Sequence, residues 1–105
     1  MPRRPGQQGQ PPGPGLLILT SLAGGPKHGY AMIADITRLA GVRLGPGTLY
    51  GALARLEARG LIEPLPLEER RRPYRLTGPG REALGKQLAS IQQIAEAGLL
   101  RLSTT

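Results

Sequence analysis

The 105-residue sequence has no cysteine, tryptophan or phenylalanine, and a single histidine. Without cysteine there is no disulfide framework and no thiolate metal site. With one His, and Asp35 the only aspartate, neither the nucleophile, base and orienting group of a typical enzyme nor a metal cluster can be assembled. We therefore expect no enzymatic activity, no metal and no cofactor. No apolar run is long enough to span a bilayer, and no stretch has the form of a signal peptide, so the expected location is the cytoplasm. Acidic residues are also scarce. Seven Asp and Glu against fourteen Lys and Arg leave a formal charge of +7, which attracts a small domain to polyanions. The basic residues are dispersed, and their one cluster falls in a predicted hairpin rather than along an amphipathic helix. That disfavours a membrane surface and favours nucleic acid.

Residues 1–15 are nearly all Pro, Gly, Gln and Arg. They hold too little apolar area to offset the entropy of ordering them, and a disordered arm is expected. A first, well-buried helix is expected over 16–23, stopped by Gly24, Gly25 and Pro26. A second covers 30–40, with Ile33, Ile36, Leu39 and Ala40 on one face, and ends at Gly41, where a left-handed cap is easy. The connection over 41–45 is short enough to make a helix-turn-helix with a third helix, which starts at Pro46 and finishes at Gly60. Short strands over 61–65 and 73–77 then flank the charged loop of Glu68, Glu69, Arg70, Arg71 and Arg72.

The expected fold is thus mainly α with a small two-stranded β-wing: a winged helix-turn-helix over 16–77, then a dimerisation helix and tail over 78–105. Thr77 suits the N-cap of that last helix. Within it Leu84, Leu88, Ile91, Ala95, Gly98 and Leu102 alternate steps of four and three, the spacing of a helix–helix seam. From 79 to 102 it would run about 36 Å, more than so small a domain can cover alone. The helix either folds back on the first one or pairs with a second copy; a two-fold homodimer in which both contacts occur is expected, with Leu16, Leu17, Leu84, Leu88, Ile91, Ala95, Leu99 and Leu102 at its interface.

The third helix divides by face. Leu49, Leu53 and Leu56 fall in one narrow sector and must pack on the first two helices. Opposite them lie Gly47, Gly51, Ala54 and Ala58, with Thr48, Arg55 and Arg59 on one flank and Tyr50 on the other. Small outer residues let a helix backbone sit deep in a DNA major groove, while the flanking groups reach phosphates or base edges. Gly47, Thr48, Tyr50, Gly51 and Arg55 are the residues expected to meet DNA.

The segments LAGGPKHGY at 22–30, PGTLY at 46–50, ALARLE at 52–57, GLI at 60–62 and YRLT at 74–77 resemble, in order, the PadR family of bacterial transcriptional regulators. The resemblance runs from about residue 16 to 102. It implies a winged-helix dimer on inverted-repeat promoter DNA, usually a repressor released by a small molecule. It also implies that Tyr30 meets a phosphate, that Thr48 and Tyr50 carry recognition-helix contacts, and that Arg70, Arg71 and Arg72 meet the neighbouring minor groove or backbone. Tyr74, in a strand, reads as core. The chain departs from the family where Gly45 replaces a commonly polar residue, Gly51 a proline, and Pro73 a basic or aromatic residue. A less firmly capped third helix and one missing ladder hydrogen bond are expected. Some short members of the family bind flat aromatic drugs between subunits. Here Leu16, Leu17, Leu99 and Leu100 can line an inter-subunit cavity for an effector or serve as ordinary dimer core, without aromatic stacking groups. The reading from another class is a winged-helix adaptor whose basic surface binds an acidic protein and never DNA; both are electrostatic, and only sequence selectivity separates them.

Overall fold

A computed structural model describes residues 13–104; the arm expected over 1–15 lies outside them up to residue 12. Four helices and three short strands follow one another as α1 (Pro14–Ala23), β1 (Lys27–His28), α2 (Gly29–Ala40), α3 (Pro46–Ala58), β2 (Ile62–Pro64), β3 (Pro73–Leu76) and α4 (Gly78–Ser103). Helix α1 starts two residues before the apolar run because Pro14, with its fixed φ and missing N–H, suits a first turn. Helix α2 closes at Gly41, left-handed at φ 68°, whose N–H donates to the Thr37 carbonyl at 3.0 Å.

The end of α3 shows why it stops where it does. Gly60 adopts φ 74°, its N–H donates to the Glu57 carbonyl at 2.9 Å, and the Leu61 N–H reaches back to the Leu56 carbonyl at 3.0 Å. This is the Schellman pair of bonds that a left-handed glycine makes possible. The start of α3 is plainer, with Gly45 as N-cap and no side-chain hydrogen bond, as the departure from the family pattern implied.

The sheet has three strands rather than two, antiparallel in the order β1, β3, β2. The segment around His28 reads as a turn in the sequence. In the fold its two residues pair with β3, Lys27 opposite Tyr74 and His28 opposite Pro73. Two residues carry no periodicity, so only tertiary contact defines this strand. Pro73, although in the central strand, is its first residue, where a missing N–H is tolerated; its carbonyl accepts from the Leu65 N–H at 2.8 Å.

Helix α1 is the hub, touching α2, α3, α4 and β3. Leu17, Ile18 and Leu22 pack with Met32 and Ile36 of α2 and with Leu49, Leu53 and Leu56 of α3; Ile62, Leu76 and Leu84 close the cluster. Each such side chain, fully buried, contributes about 1.5–3 kcal/mol. Two of the residues expected at a dimer interface belong to this protomer core. Leu17 is 4% exposed and Leu84 5%, so neither can reach a partner. Leu16 is half-buried against the same cluster. The spacing of apolar residues cannot tell which copy of the chain covers them.

Ser21, buried in α1, donates its hydroxyl to Asp35 Oδ2 at 2.6 Å. Lys27 Nζ donates to the Ser21 carbonyl at 2.5 Å. The Ser21 hydrogen bond, helped by the charges of Lys27 and Arg38, outweighs the burial that opposes it and holds the Asp35 carboxyl below its ordinary 3.8. A carboxylate with a lowered folded pKa stabilises above the unfolded value, and that contribution is lost as pH falls through the folded one. The melting temperature of Asp35→Asn should accordingly lie below wild type at neutral pH, and the gap should close as the pH is taken below 3.8. A gap constant across a pH series of thermal melts would rule out this account.

Candidate nucleic-acid interface

Helix α3 presents to solvent the side opposite its leucines. Leu49, Leu53 and Leu56 are buried, joined by Ala52, while Gly47, Thr48, Tyr50, Ala54, Arg55 and Ala58 are exposed. The small face is not bare, because a Cβ at Gly51 would stand 3.5 Å from the Arg55 guanidinium. Arg55 therefore lies back along the helix over Gly51, its charge across the flat strip between Thr48 and Ala54.

The residues before α2 bring a second element to this side. His28 stands at the N-cap position of α2, its Nδ1 3.4 Å from the Ala31 backbone N, so Tyr30 stands in the first turn and is 64% exposed. Gly29 is buried beneath Tyr50: a Cβ there would stand 2.6 Å from the Tyr50 hydroxyl and 3.2 Å from Leu49 Cδ2. Glycine at 29 thus lets the Tyr50 ring lie against the start of α2. The small residue has a packing role that the H-G-Y string alone does not explain.

The third element is the wing. Beyond the β2–β3 ladder, Glu68 and Arg71 exchange backbone hydrogen bonds of 2.8 Å. The two residues between them, Glu69 at φ 48° and Arg70 at φ 69°, form a turn of the I′ class, which needs positive φ at both positions. Asn-Gly is the usual choice; Glu and Arg adopt the conformation at a cost. The three arginines are held differently. Arg70 sits at the strained tip, Arg71 Nη1 lies 3.2 Å from His28 Nε2, and Arg72 donates to the Leu65 carbonyl at 2.8 Å.

These elements converge. A cleft of about 220 Å³ is lined by His28, Gly29, Tyr30, Tyr50, Leu67 and the three wing arginines. Tyr74, by contrast, packs against the core. Burial foremost, then the charge of nearby Glu57, pushes its phenol above the ordinary value, so it stays neutral and structural. Three other cations are engaged in ion pairs: Arg75 with Glu63, Arg38 with Asp35 and Lys86 with Glu82. Of the sequence-predicted contact residues, Tyr30, Tyr50, Arg70, Arg71 and Arg72 meet around the cleft, while Gly47, Thr48, Gly51 and Arg55 line the adjoining face of α3. In the sequence His28 reads only as a turn residue. Its role depends on Arg71, 43 positions away, and no local pattern carries that.

The helix α4 leaves the domain. Every described residue beyond Leu84 is exposed, so about 28 Å of helix at 1.5 Å per residue projects outward. Leu88, Ile91, Leu99 and Leu102 are exposed along it. Leu100, also exposed, falls on the far side of that stripe at 100° per residue. Among the described residues no helix is long and apolar enough to cross a membrane.

Comparison with known proteins agrees with this architecture. Residues 18–86 match the model of the transcriptional regulator PadR-like family. A transcriptional regulator of Mycobacterium tuberculosis is 40% identical over 83 residues, covering 76% of this chain and 77% of that protein. An uncharacterised 37.1 kDa protein from a Streptomyces fradiae transposon is 51% identical over 80 residues; these are 76% of this chain but only 23% of that protein's length. Among solved structures, a PadR family transcription regulator from Clostridium difficile superposes with a TM-score of 0.77 at 26% identity, over 85% of this chain and 97% of that one.

Proposed function

Because the chain belongs to the PadR-like family of transcriptional regulators, we propose that it is a sequence-specific DNA-binding repressor acting as a homodimer on inverted-repeat promoter DNA. The observation that carries this reading is the convergence of three elements on one basic surface. Helix α3 offers a flat face with Thr48 and Arg55; Tyr30 and Tyr50 stand beside it, and the wing adds three arginines across a shared cleft. Phosphate contacts from Tyr30 and the wing fix orientation, and Thr48, Tyr50 and Arg55 read base edges. So small a face reads few bases. Selectivity then depends on two copies held at a fixed spacing, and the exposed stripe of Leu88, Ile91, Ala95, Leu99 and Leu102 on α4 supplies a surface for that pairing. A small molecule seated between the subunits near Leu99, changing that spacing, releases the DNA.

The test is a fluorescence anisotropy titration against DNA upstream of the gene itself, in competition with scrambled DNA. Preference for the upstream DNA is expected; equal affinity there and on neighbouring promoters would favour the adaptor. Thr48→Ala should cost about 1–3 kcal/mol on the preferred site and little on scrambled DNA. Equal weakening on both would reduce Thr48 to a phosphate ligand. Removing the charges of Arg70, Arg71 and Arg72 together should flatten the dependence of log affinity on log salt by about 0.9 for each phosphate no longer neutralised. An unchanged slope would take the wing out of the interface.

A further inference from the structure

His28, the single histidine of the chain, faces two donors that one neutral imidazole cannot satisfy together. Its Nδ1 lies 3.4 Å from the Ala31 backbone N, and its Nε2 lies 3.2 Å from Arg71 Nη1. An amide N–H offers no lone pair, and a guanidinium is always charged and only donates. A neutral imidazole has one bare nitrogen and one N–H, and an imidazolium has no acceptor at all. One lone pair must therefore serve either the cap of α2 or the wing.

In the free protein the wing has the stronger claim. Hydrogen bonds from a charged donor are roughly twice as strong as neutral ones, and the Arg71 contact is also the shorter. Among the described residues, the ion pairs engage Arg38, Arg75 and Lys86 and leave Arg71 out. His28 is thus the side-chain tether of Arg71.

We propose that His28 is a positioning residue that holds Arg71 through Nε2 in the free protein and returns its lone pair to the cap of α2 when a DNA phosphate takes Arg71. In the free state Nδ1 carries the proton. On release that proton passes to water and another arrives from water at Nε2, so the ring stays neutral while Nδ1 accepts from the Ala31 N–H. The wing contact and the first turn of α2, which carries Tyr30, are thereby coupled through one ring. The release step rests on the DNA-binding reading; the tether does not.

The experiment is nitrogen-15 NMR of the imidazole in mildly alkaline solution, where a lone histidine gives an unambiguous signal. Free wild-type protein is expected to show a pyrrole-type Nδ1 and a pyridine-type Nε2. Arg71→Ala, a change at an exposed position, should reverse them. Adding preferred DNA to wild type should also reverse them, and adding it to Arg71→Ala should change nothing further. A pyrrole-type Nε2 in free wild type, or a spectrum indifferent to Arg71→Ala, overturns the tether. An unchanged spectrum on DNA that anisotropy shows to be bound overturns the release. If no DNA is bound, the release falls with the reading it rests on, and the free-protein spectra still decide the tether. As a second measurement, His28→Asn keeps an acceptor for the Ala31 N–H and cannot reach Arg71. Hydrogen exchange should become slower at the Ala31 N–H, which gains a dedicated acceptor, and faster in the wing; equal exchange in the wing would also overturn the tether.

Discussion

Ile91→Glu combined with Leu99→Glu is expected to leave the protein folded, monomeric and about 100-fold or more weaker on an inverted repeat. Both side chains are exposed in the protomer and lie outside the core cluster, so the domain loses no packing. In a two-fold dimer each carboxylate would enter an apolar seam twice, and burying an unpaired charge there costs far more than the seam returns. The weaker binding follows from geometry, since neither side chain belongs to the surface proposed to meet DNA. Two heads on one dimer make the second binding event intramolecular, which raises overall affinity by about 10²–10⁴. Light scattering at micromolar concentration and anisotropy on the preferred site decide it, with circular dichroism to verify folding. A variant that stays dimeric, or a monomer that binds as tightly as wild type, would remove α4 from the mechanism.

Among the described glycines, Gly80→Ala should be the most damaging single added methyl. A Cβ there would stand 1.8 Å from the Leu61 carbonyl oxygen and 2.8 Å from its carbon. The obstacle is backbone, and it is held on both sides: the Leu61 oxygen accepts from the Thr77 N–H at 3.1 Å, and the Leu61 N–H is committed to closing α3. Thr77 is pinned in turn, its hydroxyl donating to the Gly60 carbonyl at 2.6 Å and accepting from the Gly80 N–H at 3.0 Å. Overpacking costs about 1–3 kcal/mol and occasionally more; with no flexible side chain to yield, about 3 kcal/mol is expected. For a domain of this size that lowers the melting temperature by about 12 °C or more. Gly85→Ala is the control, since nothing lies near its Cβ and helix propensity favours alanine by up to about 1 kcal/mol. Thermal melts that moved alike for the two variants would contradict the close approach.

The helices were legible because their ends are written in residues with one physical meaning. Gly24 and Pro26 break, Gly41 and Gly60 turn left, Pro46 starts, and Thr77 caps, as the structure bears out at each. What escaped depends on partners far along the chain. Strand β1 exists because β3 lies beside it. The leucine spacing that marks α4 as a seam does not reveal that its first member, Leu84, is buried at home with Leu17. The turn at Glu69 and Arg70 carries none of the Asn or Gly that usually announces positive φ. For the candidate interface, the residue types stood out, but their meeting around one cleft, with Gly29 making room for Tyr50, is a product of the fold.

The contact between Gly80 and Leu61 also bears on how this protein can change. It joins the end of α3 to the beginning of α4, and the atoms that touch are main-chain atoms, the same whatever residue the chain carries at Leu61. Exposed side chains on either helix can therefore be exchanged without touching this junction. The junction of α3 and α4 is thus set by backbone, and the addition of a single carbon at position 80 would tilt the two helices against each other.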